Sequence, residues 1–477
     1  MSDWKLEKLK LNKRISLLEA LVEKLIAENK SLKLELSSLK GSHKSLAAEN
    51  KKLSHENIRL RERLGLNSRT SSIPSSKELY KIKKASKPKS ERNQGAQPGH
   101  EANLRSKLVA DEVIKVPLAD KECECGGQVS LSDKPYLHQK IDLPEIKPYV
   151  REYQLERGRC NSCGKRRSAG LPTGVSSDLF GARVKSVIGS LGGFYKNSKR
   201  DIAKILNDIF NLKISVGSIS NNEQRISNKC EASYKDIEAQ LSYAKLLHID
   251  ETSHYHRGKR GWCWLFASKL ASIIKLEDSR GKKVLANSVF GTDDHIVVSD
   301  RYAAYNYFGY NNRQVCWSHL ARDFERFAHS SYPEVKSLGL YLCSISRELF
   351  ALKKSYDWGE IKLLRFLRRA KKLRKRMYYY LRSLAHKTDL LQAARMARNI
   401  LKSEPMMWKF LEDPDEIPLT NNHAEQQIRH YVTYRKNSYF TQSDRGKRFL
   451  ERIISLYLTW KKQGENPVRN LQKLMLA

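Results

Sequence analysis

Apolar residues recur every seven positions between residues 11 and 64. One seam runs Leu11, Leu18, Leu25, Leu32, Leu39, Leu46, Leu53 and Leu60. The other runs Ile15, Val22, Asn29, Leu36, His43, Asn50, Asn57 and Leu64. Leu at d, with β-branched residues and Asn at a, favours a parallel two-stranded coiled coil. Residues 1–66 are therefore expected to pair two copies of the chain. Gly41 and the Asn-rich second half weaken the coil toward its C-terminal end. The pattern then stops. Residues 67–110 are rich in Ser, Pro and Lys, close on Gln97-Pro-Gly-His100, and have little to bury. They read as a flexible basic linker.

Residues 111–175 hold Cys-x-Cys-Gly-Gly, a 34-residue spacer with the strand-forming run Lys147 to Leu155, and Cys-x-x-Cys-Gly. Helical periodicity returns over 176–232. Ala182 to Phe194 is one segment. Ser198 N-caps a second, Asn211-Leu-Lys-Ile makes a turn, and Ser215 opens a third, which gives a helix-turn-helix outline. From 245 the chain turns α/β. Strands are expected at 245–250, 262–268, 271–276, 295–300 and 313–317, with a helix at 281–290. The turn Arg257-Gly-Lys-Arg-Gly261 joins the first two strands. Helices follow at 325–415, 421–431 and 446–463. The fold class is multidomain α+β.

Composition narrows what such a chain does. Its 89 Lys and Arg against 52 Asp and Glu give a net charge of +37, which opposes compaction unless a polyanion neutralises it. DNA phosphates are the natural partner. No stretch has the length of a membrane span and the N-terminus is charged, so an intracellular protein without a membrane partner is expected. In a reducing compartment the cluster Cys123, Cys125, Cys160 and Cys163 reads as a structural zinc site. Four thiolates leave no open position for catalysis. Cys230, Cys263, Cys316 and Cys343 read as core thiols.

Three acids stand out against this background. Asp250 ends Leu-Leu-His-Ile and Asp300 ends Ile-Val-Val-Ser, both buried-strand sequences; Glu425 opens a helix after Thr420-Asn421-Asn422. Taken singly, each could be a strand-end or surface acid. Together they are the ligands that two divalent cations need for phosphodiester chemistry. Glu251 is expected on the opposite face of its strand from Asp250, and Asp294 in the preceding loop. Lys362 to Arg376 has nine Lys or Arg and no acid, with Leu363, Phe366, Leu367, Ala370, Leu373 and Met377 on one helical face. Arg365, Arg368, Arg369, Lys372 and Arg376 fall on its basic side and suit a phosphate backbone. Arg429, Arg435, Lys436 and Asn437 follow Glu425 and suit the scissile strand. His319 is read as structural.

These stretches resemble the insertion sequence 66 family of bacterial transposases. The likeness rests on His248-Ile-Asp-Glu-Thr252, Asp300-Arg-Tyr-Ala-Ala-Tyr305, Cys316-Trp-Ser-His-Leu-Ala-Arg322, Leu419-Thr-Asn-Asn-His-Ala-Glu425 and Arg435-Lys-Asn437. The coiled coil, linker and cysteine unit match in the same order. Gln426 and Ala321 stand where the family usually has Arg, which bears on DNA contact, as does Arg322. The resemblance implies an RNase H-like catalytic domain of the DDE type over 233–450, with a helical insertion at 325–415 and a C-terminal helical tail at 451–477. It implies that Asp250, Asp300 and Glu425 bind two Mg²⁺, with Mn²⁺ as a substitute, to cut element ends and join them to target DNA. Accessory proteins of the same element and a cytoplasmic, nucleoid-associated location follow from it. Two other readings stay open: a non-catalytic dimeric zinc-containing DNA-binding regulator, and a nuclease that cuts without joining.

Overall fold

The computed structural model describes residues 2–64, 106–119, 121–290, 294–387 and 391–476. The basic linker lies outside them except for 106–110. In chain order the elements are α1 (Ser2–Leu64), β1 (Arg157–Arg159), β2 (Arg166–Ser168) and α2 (Ala182–Gly189), which runs into a π-helical turn at Ser190–Phe194. Next come α3 (Lys199–Phe210), α4 (Val216–Lys229), α5 (Glu231–Ser242), β3 (Leu246–His256), β4 (Lys259–Ala267), β5 (Ser272–Glu277) and α6 (Lys282–Ala286). They are followed by β6 (Ile296–Ser299), β7 (Arg313–Val315), α7 (Trp317–Ala328), α8 (Pro333–Asp357), α9 (Leu363–Ala385) and α10 (Leu391–Leu401). Last are α11 (Glu404–Met407), α12 (Asn422–Ser438), α13 (Asp444–Lys462) and α14 (Pro467–Leu476). No helix among the described residues is long and apolar enough to cross a membrane.

The chain divides into two units, the first comprising residues 1–81, 245–248 and 291–422. Here α1 is one continuous helix whose d-seam leucines are exposed along its length. His55, which lies off both seams, accepts or donates one hydrogen bond with the Tyr332 hydroxyl (2.9 Å). The start of β3 pairs in parallel with β6 in the register Leu246↔Ile296, Leu247↔Val297, His248↔Val298. β6 pairs in parallel with β7. The strand expected at 313–317 stops at Val315, because Trp317 starts α7 and its N–H donates to Leu419 O (2.9 Å). The helices after it share one apolar core that includes Trp317, Phe324, Leu342, Leu349, Phe366 and Met377. α8 crosses α7 at Gly339, where a Cβ would meet Ala328 N at 2.2 Å. Only glycine allows that approach.

The second unit comprises residues 82–244, 249–290 and 423–477. Ser198 and Ser215 cap α3 and α4 by accepting from Asp201 N and Ser218 N. Asn211 ends α3 in the left-handed region at φ 52°. These are the caps the sequence prescribes. β3 is longer than its expected 245–250 and reaches His256. The hairpin turn is just Arg257-Gly258, both with positive φ (49° and 74°), as a two-residue type I′ turn requires. β4 and β5 are antiparallel. Within this unit the strand order is β5-β4-β3.

β5 is an edge strand, and α13 closes it. The N–H groups of Ser272, Ile274 and Leu276 donate to Thr459 Oγ1 (3.0 Å), Ser455 Oγ (2.9 Å) and Glu451 Oε1 (2.7 Å). Those acceptors recur every four residues on one helix face, while the donors recur every two on one strand edge. An open edge would invite pairing with another chain. Glu451 is half-buried here, and desolvation pushes its carboxyl up to about 6.

Candidate active site

Asp250 follows three buried residues on β3, and its Oδ1 accepts from Glu251 N (2.9 Å). Glu251 is committed elsewhere. Its carboxylate is buried and accepts from Arg280 Nε (2.8 Å), whose guanidinium lies over the Trp262 ring. Asp300 is the first residue after β6. Its Oδ1 accepts from Tyr302 N (2.8 Å), an Asx turn that fixes the exit of the chain. Asp294 is exposed in the loop before β6. Glu425 is in the first turn of α12, where an acid is favoured by the helix dipole.

A residue that sequence reasoning missed holds Asp300 from behind. Arg313 opens β7 and is almost wholly buried. It donates to Ser299 Oγ (3.0 Å), Asn306 Oδ1 (3.0 Å) and the Asp300 carbonyl (2.5 Å). Burial pushes its pKa down to about 10, and the nearby Asp300 charge opposes that shift. Charge is tolerable in such a place only because three acceptors replace water.

Within the first unit a chain of hydrogen bonds links the neighbours of all three acids. His248 Nδ1 donates to Asn421 Oδ1 (2.9 Å). Asn421 N donates to Cys316 Sγ (3.2 Å), and Cys316 N donates to Ser299 O (2.9 Å). All four residues are buried. His248 is two residues before Asp250, Ser299 adjoins Asp300, and Asn421 is four residues before Glu425. The Thr420-Asn421-Asn422 run reads in sequence as a local helix cap. Here the Asn421 side chain reaches a strand 173 residues away.

In the second unit, α12 is tied to β3 beyond Asp250. The Tyr431 hydroxyl is hydrogen-bonded to His254 Nδ1, and Arg435 Nη1 donates to Ser253 Oγ (2.7 Å) and to Ser253 O. Burial, with the charges of His256 and Lys447, pushes His254 down to about 4, so it is neutral at pH 7. Arg435 is half-buried and takes up this structural contact, while Lys436, Asn437 and Arg429 are exposed.

His319 lies half-buried on α7. Burial alone would lower its pKa, but the hydrogen bond and charge of Cys316, with Asp300 behind them, raise it to about 9. Arg322 is half-buried on the same helix. On α9 the expected faces are present except at Leu363, which its spacing places on the apolar face and which is exposed in the first turn of the helix. Phe366, Ala370, Leu373 and Met377 are buried, and Arg365, Arg368, Arg369 and Lys372 are exposed. Two cations of that helix have acidic partners: Arg374 with Glu404 (2.6 Å) and Arg376 with Glu348 (3.0 Å).

The four cysteines sit on two knuckles. Cys123 N donates to Gly127 O (2.8 Å) and Gly126 N to Cys123 O (2.7 Å); Cys160 N donates to Lys165 O (3.0 Å) and Gly164 N to Cys160 O (2.9 Å). Gly126 and Gly164 both have positive φ, which explains glycine there. The second knuckle joins β1 to β2, so the strands flank it and do not fall in the 147–155 run. Hydrogen bonds from the Cys125 and Cys163 amides lower the Cys123 and Cys160 thiol pKa values. Amides directed at sulfur favour thiolate.

The sequence model of the Transposase IS66 family matches residues 199–448, just over half of the chain. The match contains Asp250, Asp300 and Glu425 and leaves out α1 and the cysteine unit. No curated protein matches the chain. The chain belongs to the IS66 transposase family.

Proposed function

On the basis of that membership, we propose that the protein is a DDE transposase that cuts the ends of its element and transfers them to target DNA. The observation that carries this reading is the buried chain His248–Asn421–Cys316–Ser299, whose members stand two residues before Asp250, next to Asp300 and four residues before Glu425 in the sequence. Sequence positions up to 173 residues apart would not be tied in this way around unrelated surface acids. The mixed strand directions, β4 and β5 antiparallel in the second unit and the start of β3, β6 and β7 parallel in the first, support an RNase H-like core.

Three carboxylates are donors that suit hard divalent cations. Two Mg²⁺ ions, or Mn²⁺ in their place, would supply an activated nucleophile and neutralise the leaving oxyanion. The protein's own part is to hold the ligands rigid. Arg313 fixes the Asp300 peptide, and Asn421 fixes the entry to the Glu425 helix. The proposed reaction is hydrolysis that frees a 3′-hydroxyl, then in-line attack of that hydroxyl on a target phosphorus, which breaks the target P–O3′ bond and releases the target strand's 3′-oxygen as a hydroxyl.

Cys123, Cys125, Cys160 and Cys163 would hold a structural zinc. The exposed cations Arg365, Arg368, Arg369, Lys372, Arg429 and Lys436, with Asn437, Arg322 and Arg376, would line the DNA path. The exposed leucine seam of α1 would bury against a second copy. Accessory proteins of the element would add to this assembly.

The test incubates the full chain with Mg²⁺ and labelled element-end DNA. Asp250→Ala, Asp300→Ala and Glu425→Ala should each reduce strand transfer to background while end binding persists. Normal transfer in any one of them removes that residue from the mechanism. Binding with no nicking by the unmodified protein favours the regulator, and nicking without joining favours the nuclease.

A further inference from the structure

Among the described residues, Tyr439 and Phe440 are the one adjacent pair of non-glycine residues with positive φ, at 49° and 67°. A left-handed backbone costs such a residue about 1–2 kcal/mol. It persists only where the surroundings enforce it, and it gathers at functional sites.

The enforcement is visible, all of it within the second unit. The Phe440 ring packs against Tyr255 (5.0 Å) and His254 (5.9 Å). Thr441 bridges to His256 at the end of β3. Its N–H donates to Tyr255 O (3.3 Å) and its carbonyl accepts from Arg257 N (2.9 Å). Its hydroxyl lies 3.0 Å from His254 Nε2 and 2.8 Å from His256 Nδ1. On the other side, α12 ends at Ser438 after Arg435 has anchored its last turn to Ser253. The chain between these clamps turns outward, and Tyr439 is 85% exposed.

Folding alone gives no reason for this side chain. A glycine would accept the same backbone without strain. What tyrosine adds is a rigid aromatic face held in solvent. Lys436 and Asn437 before it, and Arg448 after it, are exposed and suit phosphate contacts, while Arg445 donates to Ser220 Oγ (2.7 Å). Aromatic faces beside cations are how proteins grip bases that have left the helical stack, whatever their identity.

We propose that Tyr439 is a stacking wedge that engages an unpaired or extruded base of the bound DNA. The proposal rests on the DNA-transposase reading above. It assigns to the loop after α12 a contact with a base, where the neighbouring cations contact phosphates.

The test compares two short duplexes: one fully paired, and one with 2-aminopurine opposite an abasic site. The full chain should bind the second about tenfold more tightly and quench its fluorescence. Tyr439→Phe should keep both effects. Tyr439→Ala and Tyr439→Gly should lose both while binding the paired duplex as before. Tyr439→Gly should also melt at a higher temperature, which separates loss of stacking from loss of fold. Retention of the preference in Tyr439→Gly overturns the wedge, as does equal affinity of the unmodified protein for both duplexes. Failure of the unmodified protein to bind either duplex removes the DNA reading itself.

Discussion

The cysteine unit and the acid-bearing strands lie at opposite extremes of burial. Every described residue from 106 to 174 is exposed, whereas Leu247, Ile249, Val297 and Val298 are wholly buried. Ordering a residue costs about 1–2 kcal/mol of backbone entropy. The strands offset it by apolar burial and ladder hydrogen bonds. The cysteine unit has two knuckles, one short hairpin and a few polar ties such as Gln139 to Leu108. A segment without a core relies on a bound ligand for its order, and the zinc proposed above would be that ligand. One region is thus held by its packing, and the other would be held by four thiolates.

The largest expected effect breaks that contrast directly. Chelation of metal ions, or Cys160→Ser, should abolish hydrogen-exchange protection across 106–174 while amides of β3 to β5 keep theirs. Loss in both regions, or in neither, would end the distinction.

Next comes the buried cation. Arg313→Met should strip Ser299, Asn306 and the Asp300 carbonyl of their buried donor and cost about 3 kcal/mol, seen as a lower urea midpoint. The cysteine knuckles should be indifferent to it. A change under about 1 kcal/mol would mean that the Asp300 turn is held by its own Asx geometry.

The smallest effect sharpens the account of the sheet's edge. Glu451 has its pKa raised from 4.5 to about 6 by burial. Its contribution to stability is therefore full below pH 4.5 and is lost as pH rises through 6. The shift corresponds to about 2 kcal/mol. Glu451→Gln keeps an acceptor for Leu276 N and cannot ionise. It should flatten the stability profile between pH 4.5 and 6 and gain about 1–2 kcal/mol at pH 7. An unchanged profile would show that the carboxylate is better solvated than its burial implies.

Much of this was legible in advance where the cause is local. Ser198, Asn211 and Ser215 mark helix ends because a cap bonds within its own turn. The amphipathic face of α9 follows from spacing alone. Asp250 and Asp300 stand out because a buried apolar run ends at a charge. Arg313 does not stand out, since a cation at a strand start reads as surface. Arg435 reads as a DNA contact, and only the fold reveals Ser253 as its partner. The two left-handed residues at 439 and 440 carry no sequence signal, because neither is glycine or asparagine.

By itself, then, the sequence determined the heptad helix, the caps, the acids that follow buried apolar runs and the paired thiols; Asp250, expected at a strand end, lies within β3. Each depends on residues a few positions apart, whose geometry the backbone period dictates. Tertiary structure alone decided which buried partners meet: Asn421 with His248 across 173 positions, and with Cys316 across 105. No local period encodes such pairs. They form when burial of the surrounding apolar surface offsets the entropy of closing the long loops between them.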